Sequence, residues 1–287
     1  MQRDAWTLKG PESLPIHGAT DLPTHPEATA LLVHGFTGSK DRNIIPALGR
    51  LLAEAGVLTH RFTMSHAGLE KDADEVTRTD EFARDSAALG MENIRLVFDA
   101  LRAGRLPGGE VAGPVVLIGH SRGGATVLGY TGRGRRHDWP LPTGVVSIAG
   151  LSNYWTFTDE IAAALSRDGY VEREFARTPA GRLRLGPSWF EHVTEAGPRA
   201  MFEADVAAIT CPVLLVHGES DANVPLDHPE RVRRLFEDEG TTVDLAVIPE
   251  GDHNLNALGF GVDHANARSA AVCAGAEAVL DFIRRLR

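Results

Sequence analysis

Short apolar runs rich in β-branched residues alternate along this chain with longer stretches whose hydrophobic residues recur at helical spacing. Several of the short runs are almost wholly apolar, as strands covered on both faces by helices must be. The predicted strands span residues 28–34, 57–64, 114–119, 145–149, 213–217 and 243–248. The predicted helices span residues 43–55, 81–103, 123–131, 229–239 and 265–286. This alternation predicts an α/β fold with a doubly wound, mostly parallel sheet and right-handed crossovers.

Two features depart from the regular alternation. Residues 6–9 and 14–18 predict an antiparallel edge before the first strand. Residues 152–208 separate two predicted strands by far more than the roughly two to six residues of a usual connection. We therefore predict a core domain formed by residues 1–151 and 209–287, with residues 152–208 inserted as a cap of helices and loops.

The inserted segment is rich in aromatic residues. It contains nearly half of the aromatic residues of the chain. These rings either anchor the segment to the core or line an apolar substrate pocket, where aromatic walls are usual. The candidates for the pocket wall are Trp155, Phe157, Trp189 and Phe190.

The strongest chemical signal is the sequence Gly-His-Ser-Arg-Gly-Gly at residues 119–124, which follows an apolar run and precedes a helical stretch. Strand, tight turn and helix are the context that a G-x-S-x-G nucleophile elbow requires. The turn strains the backbone of Ser121 and exposes its hydroxyl. Side chains two residues to either side would collide, so both places are glycine. Ser121 is therefore the candidate nucleophile.

A serine hydroxyl is nearly inert at neutral pH, so it needs a base, and the base needs a carboxylate that orients it. In a fold of this kind the order along the chain is serine, acid, histidine, each at the carboxyl end of a strand. Asp221 and His253 follow the fifth and sixth predicted strands and are the candidate acid and base. The alternatives are Glu219 and Asp227 as acids and His264 as the base.

The reaction also needs hydrogen-bond donors for a negatively charged oxygen. The loop at residues 34–38, His-Gly-Phe-Thr-Gly, follows the first predicted strand, where backbone N–H groups can face the serine. The expected donors are the backbone N–H groups of Phe36 and of Arg122, the residue after the nucleophile. An ordinary strand-to-helix turn without chemistry is the alternative interpretation of this loop.

Ser121, Asp221 and His253, with the loop at 34–38 and the elbow, resemble the α/β-hydrolase superfamily. The resemblance covers nearly the whole chain outside the inserted segment. The loop and the elbow are similar to those of small bacterial serine carboxylesterases of the feruloyl and cinnamoyl esterase type, and of dienelactone-hydrolase-like and serine-aminopeptidase-like proteins. Arg122 differs from the Gln that often stands there in the esterases. Dienelactone hydrolases use a Cys nucleophile and dehalogenases an Asp, so Ser121 argues against both chemistries.

The resemblance and the residues together imply a serine-dependent carboxylic ester hydrolase. It would cleave esters of small acyl or aryl-acyl acids through an acyl-enzyme, with no metal and no organic cofactor. The same triad also serves peptidases, thioesterases, lactonases and acyltransferases, and these alternatives stay open. Metal-dependent hydrolysis is disfavoured because the chain has no H-E-x-x-H helix and no closely spaced Cys/His set. A non-catalytic binding protein is disfavoured because every member of the catalytic set is present.

Charge and composition narrow the partners. A formal net charge of −10 repels nucleic acid and anionic lipid surfaces, and no apolar run approaches the roughly 20 residues of a membrane helix. The first residues lack an apolar secretory core, so we expect a cytoplasmic protein whose partner is a small-molecule ester. The two cysteines, Cys211 and Cys273, are far apart in apolar contexts and are expected to be reduced, buried thiols. Nothing in the pattern indicates an oligomeric state.

Overall fold

In the part of the chain that this computed structural model describes, ten strands form two sheets. The described residues are 2–109, 111, 113–155, 158–193, 198–238, 243–261 and 268–287. The strands of the main sheet are β1 (Gln2–Lys9), β2 (Pro15–Leu22), β3 (Ala28–Val33), β4 (Val57–Thr63), β5 (Val115–His120), β6 (Gly144–Ile148), β9 (Val213–Gly218) and β10 (Asp244–Ile248). The described strands of a separate small sheet are β7 (Val171–Glu174) and β8 (Arg182–Leu185).

The main sheet has the strand order β1-β2-β4-β3-β5-β6-β9-β10. Strand β2 pairs antiparallel with β1 and with β4, and the other five neighbouring pairs are parallel. The antiparallel edge is longer than the predicted residues 6–9 and 14–18, because β1 and β2 pair along their whole length. The predicted mostly parallel α/β sheet is confirmed.

Helices cover both faces of this sheet. The described helices are α1 (Ile44–Glu54), α2 (Thr79–Ala83), α3 (Ala87–Arg102), α4 (Arg122–His137), α5 (Asp159–Asp168), α6 (Pro198–Ala207), α7 (Asp227–Asp238) and α8 (Ala270–Arg285). Helices α1 and α8 pack on one face, and α3, α4, α6 and α7 pack on the other. Neighbouring residues of a strand, such as Leu31 and Leu32, are therefore both buried but on opposite faces. This explains the apolar runs in the sequence.

The predicted helix at residues 81–103 is two helices. The chain leaves helical geometry after α2, and Ser86 begins α3 by accepting the backbone N–H of Leu89 at 3.1 Å. Because this serine side chain satisfies an N–H group that has no partner within the helix, it favours a new helix start there. Helix α4, by contrast, continues past its predicted end at residue 131 to His137.

The inserted segment, residues 152–208 and hereafter the insert, contains α5, the β7–β8 hairpin, a 3-10 helix at Pro187–Val193, and α6. The prediction that this segment consists of helices and loops is therefore incomplete, because it lacks the hairpin. Helix α6 packs against α4 of the core. Asp205 of α6 accepts hydrogen bonds from the hydroxyl of Tyr154 and, at 2.9 Å, from Arg133 of α4. The division of the chain into core and cap stays a prediction.

A buried histidine of β4 makes stability depend on pH. His60 is fully buried; its Nδ1 lies 2.7 Å from the hydroxyl of Thr20, and its Nε2 has no hydrogen-bond partner among the described residues. Burial lowers its pKa from 6.5 to about 4. As the pH falls, the unfolded chain binds the proton first. The stabilisation from a neutral His60 is therefore present above pH 6.5 and lost as the pH falls towards 4.

We expect the wild type to lose about 2 kcal/mol more free energy of unfolding than His60→Gln between pH 7 and pH 5, because Gln does not titrate. Urea unfolding of both proteins at the two pH values measures the difference. Equal losses in the two proteins would contradict the assignment of this pH dependence to His60.

Candidate active site

Loops from the carboxyl ends of four parallel strands meet at one edge of the sheet. Ser121 follows β5, Asp221 follows β9, His253 follows β10, and Phe36 follows β3. The Nε2 atom of His253 lies 3.0 Å from Oγ of Ser121, and its Nδ1 lies 2.8 Å from Oδ2 of Asp221. Three residues distant along the chain therefore form one hydrogen-bonded series, as expected at the carboxyl edge of such a sheet.

The backbone at Ser121 is strained. Its φ of 56° and ψ of −124° lie in a region that residues other than glycine rarely adopt. Two hydrogen bonds of 2.8 Å hold this conformation, one from its N–H to the carbonyl of Ile148 and one to its own carbonyl from the N–H of Gly124. A Cβ atom at Gly119 would lie 2.1 Å from the carbonyl oxygen of Gly123, so the turn leaves no room for a side chain there.

Asp221 is held from several directions. Its Oδ1 accepts the backbone N–H groups of Asn223 and Val224, each at 2.9 Å, and its Oδ2 lies 3.3 Å from Nε2 of His217. Burial favours the neutral acid, but the hydrogen bonds from His217 and His253 outweigh it and hold the pKa of Asp221 well below its usual range. Asp221 is therefore ionised at neutral pH and accepts from the imidazole of His253.

A second histidine supports the loop that carries His253. Nε2 of the buried His120 lies 2.7 Å from the backbone oxygen of His253. Because a carbonyl oxygen only accepts, this nitrogen carries a proton and donates. Burial and the nearby His253 lower the pKa of His120 to about 3, so its ring is neutral. The sequence places His120 at the end of a strand but contains no signal that pairs it with a residue of another loop.

The two predicted backbone donors come from two different loops. Phe36 lies in the loop after β3, and Arg122 directly follows Ser121. Among the described residues, no hydrogen-bond acceptor is found for the N–H of Phe36 or for that of Arg122. Arg122 begins α4, and the first N–H groups of a helix have no acceptor within it. The loop around Phe36 is fixed from outside, since Nη2 of Arg177 donates to the carbonyl of Thr37 at 2.6 Å. Both amides can therefore serve as donors.

The side chain of Arg122 connects the core with the insert. Its Nη1 donates to Asp85 at 2.6 Å, and both side chains are nearly buried. The guanidinium carbon lies 4.2 Å from the ring centroid of Trp189, whose own N–H donates to the carbonyl of Phe82 at 2.8 Å. An arginine that is stacked and ion-paired in this way is held in one position. The residue after the serine thus holds the insert in place.

Two cavities adjoin at Phe36. The first, of about 180 Å³ and hereafter the serine cleft, has Ser121, His253 and Phe36 in its wall. The second, of about 620 Å³ and hereafter the insert cavity, has Phe36 and Trp155 in its wall. The other residues of its wall are Leu151, Thr158, Glu160, Ile161, Val171, Glu172, Arg173 and Glu174. A ligand that spans both cavities would pass Phe36.

The aromatic residues predicted to form a pocket wall have different positions. Trp155 lines the insert cavity, and its ring centroid lies 5.3 Å from that of Phe36. Trp189 and Phe190 are 5% and 3% exposed and pack in an apolar cluster behind this wall. They differ from the prediction because packing against other rings buries more of their surface than a cavity wall does. Phe157 lies outside the described residues.

The alternative acids lie elsewhere. Glu219 is exposed and accepts a backbone N–H from the loop after β10. Asp227 begins α7 and pairs with Arg231 at 2.8 Å. In the described part of the chain, neither carboxylate forms a hydrogen bond with His253. The alternative base, His264, lies outside the described residues.

The described ranges contain no group of three or more His, Cys, Asp or Glu side chains that could hold a metal ion. In the same part of the chain, no helix is long and apolar enough to cross a membrane. Cys211 and Cys273 are free thiols, as predicted, but Cys211 is only partly buried and Cys273 is exposed, so the predicted burial is wrong.

A methyl group added at Gly119 tests how tightly the turn at Ser121 is packed. We expect Gly119→Ala to lower the free energy of unfolding by about 2 kcal/mol or more, because the new Cβ meets a backbone oxygen that cannot move alone. Gly49 of α1 is the matched control, since a Cβ there meets no atom closer than 3.6 Å. Gly49→Ala should be neutral or stabilising by up to about 1 kcal/mol. Urea unfolding measures both, and equal effects would contradict the tight packing.

The sequence profile of the Alpha/beta hydrolase family matches residues 30–271. No curated protein matches the chain. Similar solved structures include Est1E from Butyrivibrio proteoclasticus with ferulic acid bound, which is 21% identical with a TM-score of 0.69 over 98% of both chains. A putative hydrolase from Agrobacterium vitis is 20% identical, with a TM-score of 0.68 over 98% of both chains. Dienelactone hydrolase from Anabaena variabilis is 16% identical, with a TM-score of 0.63 over 99% of this chain and 97% of that one.

These solved structures share the fold across nearly the full length of the chain. Because their sequence identity is low, the likeness shows the fold alone. The profile match covers most of the chain and confirms the resemblance read from the loop at residues 34–38 and the elbow. The chain belongs to the α/β hydrolase family.

Proposed function

We propose that this protein is a serine hydrolase that cleaves carboxylic esters of small acyl or aryl-acyl acids. The observation that carries the proposal is the hydrogen-bonded series from Asp221 through His253 to Ser121, with distances of 2.8 and 3.0 Å. Such a series makes a serine hydroxyl a usable nucleophile, because the imidazole accepts its proton as it attacks. Membership of the α/β hydrolase family supports hydrolysis as the class of reaction.

In the proposed first step, Oγ of Ser121 forms a bond with the carbonyl carbon of the ester, and its proton passes to Nε2 of His253. The electron pair of the carbonyl bond moves to the oxygen. The backbone N–H groups of Phe36 and Arg122 donate to that oxygen, and loss of one such donor typically reduces turnover by about 10² to 10³. Asp221 holds the imidazole so that Nε2 faces the serine, and its negative charge stabilises the imidazolium.

Collapse of this intermediate breaks the bond between the carbonyl carbon and the alkoxy oxygen. His253 returns the proton to that oxygen, the alcohol leaves, and the acyl group remains on Ser121. A water molecule then gives a proton to His253 while its oxygen attacks the acyl carbon. The second collapse restores the serine hydroxyl and releases the acid. Each proton passes through one imidazole nitrogen, so the sequence of steps uses no cofactor.

The proposed substrate class rests on the cavity beside the serine cleft. Phe36 and Trp155, together with Leu151, Ile161 and Val171, give the insert cavity an apolar surface that suits an alkyl or aryl group. A structure of the same fold holds ferulic acid, and another is described as an esterase domain from a Rhodothermus marinus protein. Both names support acyl and aryl-acyl esters as the compounds to test.

Removal of the serine hydroxyl tests the nucleophile. We expect Ser121→Ala to fold as the wild type does and to lose roughly 10⁴-fold or more in kcat on p-nitrophenyl butyrate, because the attacking atom is gone. A fluorophosphonate probe should label the wild type at Ser121 and leave the variant unlabelled. Hydrolysis by the variant at the wild-type rate, with its circular dichroism unchanged, would overturn the assignment.

A set of substrates with different scissile bonds tests the ester assignment. We expect kcat/KM to be higher for p-nitrophenyl and hydroxycinnamoyl methyl esters than for aminoacyl anilides and acyl thioesters, and to be unaffected by a chelator. Steady-state kinetics of the wild type, with Ser121→Ala as the background control, measures each value. Faster cleavage of anilides or thioesters would replace the esterase assignment with a peptidase or thioesterase that uses the same triad.

A further inference from the structure

The wall of the serine cleft contains one permanently charged side chain. Of the twelve described residues that line it, Arg42 alone carries a formal charge with histidine neutral, and none is a carboxylate. The rest are glycine, apolar, amide, hydroxyl and imidazole residues. Arg42 thus places a cation in the same wall as the proposed nucleophile, in a chain whose net charge is −10.

Neighbouring carboxylates do not cancel the charge of Arg42. Its Nη1 donates to both carboxylate oxygens of Asp74, at 2.6 and 2.5 Å. Nη1 of Arg177 donates to the same carboxylate at 2.9 Å. Two guanidinium groups and one carboxylate leave a net charge of +1 on this trio. Burial and the charge of Arg42 together lower the pKa of Arg177, as expected when two cations share one counter-ion.

Arg42 also has donors left for a ligand. Its Nε and Nη2 have no acceptor among the described residues, and its side chain is 23% exposed. A guanidinium presents its N–H groups in one plane, which matches the two oxygens of a carboxylate. The amide residues Asn43, Asn223 and Asn254 lie in the same wall and add polar character around the bound group. A carboxylate is therefore the chemistry that this part of the cleft fits.

The insert cavity beyond Phe36 has the opposite character. Trp155 and Ile161 give it apolar surface, and the exposed carboxylates of Glu160 and Glu174 stand in its wall. The formally charged side chains of this wall are the carboxylates of Glu160, Glu172 and Glu174 and the one guanidinium of Arg173. A carboxylate entering there would lose water and meet a wall whose net formal charge is negative. The two cavities therefore distinguish the two halves of a substrate that spans Phe36.

We propose that the preferred substrate is an ester with a carboxylate on one side of the scissile bond, and that Arg42 binds this carboxylate in the serine cleft. The apolar half of the substrate lies in the insert cavity. The compounds of this class are half-esters of small dicarboxylic acids and acyl esters of small hydroxy acids. The inference rests on the proposed function, because the bond that is cleaved is the ester bond attacked by Ser121.

Matched substrate pairs test the carboxylate subsite. p-Nitrophenyl hydrogen adipate and p-nitrophenyl hexanoate differ in a terminal carboxylate on the acyl side. 4-Acetoxybenzoate and its methyl ester differ in a carboxylate on the alcohol side. Each pair is measured with the wild type, Arg42→Gln, Arg42→Lys and the control Arg50→Gln. Arg50 pairs with Glu54 on α1, so the control removes one positive charge outside the cleft wall.

We expect the wild type to prefer the charged member of at least one pair. In Arg42→Gln the ratio of kcat/KM for the charged and neutral members should fall roughly tenfold or more, while kcat/KM for the neutral member changes less than about threefold. Arg42→Lys should retain part of the preference, and Arg50→Gln should retain all of it. Salt at 1 M should weaken the preference, since the screening length falls from about 10 Å at 0.1 M to about 3 Å.

An unchanged ratio in Arg42→Gln for both pairs, with both esters still cleaved, would overturn the carboxylate subsite and leave the serine hydrolase intact. Binding of adipate to Ser121→Ala, measured by calorimetry, is a second readout that needs no turnover. The addition of Arg42→Gln should weaken it at least roughly tenfold, and equal binding would also overturn the subsite. A wild type that neither cleaves esters nor reacts with a fluorophosphonate would instead overturn the proposed function.

Discussion

The arrangement of this site depends on a turn that has no space for a side chain two residues before or two residues after Ser121. A Cβ at Gly119 would collide with the backbone of Gly123, and a Cβ at Gly123 would lie 2.5 Å from the carbonyl oxygen of His34. The second approach joins the turn after β5 to the loop after β3. The proposed nucleophile and the proposed amide donor of Phe36 are therefore positioned by the same backbone contact, and movement of one loop displaces the other.

Histidine side chains surround the ionised Asp221 and the loop that carries His253. His120 donates to the carbonyl of His253, and Nε2 of His217 lies 2.7 Å from the carbonyl of Val224, which is an acceptor only. These two rings fix two loops through directed hydrogen bonds. Because burial keeps the pKa of His120 near 3, this ring stays neutral beside His253 and, in the proposed reaction, does not compete with it for the proton of the serine. In the proposed reaction, the carboxylate of Asp221 stabilises the imidazolium that forms at His253.

The local sequence pattern predicts some parts of this structure and not others. The positions of Ser121, Asp221 and His253 are predictable because each follows an apolar run, and parallel strands bring their carboxyl ends to one edge. The burial of Trp189 is not predictable, because its partner is the guanidinium of Arg122 on another element and no local pattern records that contact. The β7–β8 hairpin is not predictable from the sequence. Its strands have four residues each, and β7 buries only Val171, so no apolar pattern marks the strand.

The hydrogen bond from Arg177 to the carbonyl of Thr37 has a consequence for the engineering of this protein. Arg177 lies between the two strands of the insert hairpin, and Thr37 is the neighbour of Phe36 in the core. An insert transplanted from another member of the family would remove this tether as well as replace the cavity wall. A chimera would therefore need a matching partner for the Thr37 carbonyl if the loop around Phe36 is to keep the shape it has here.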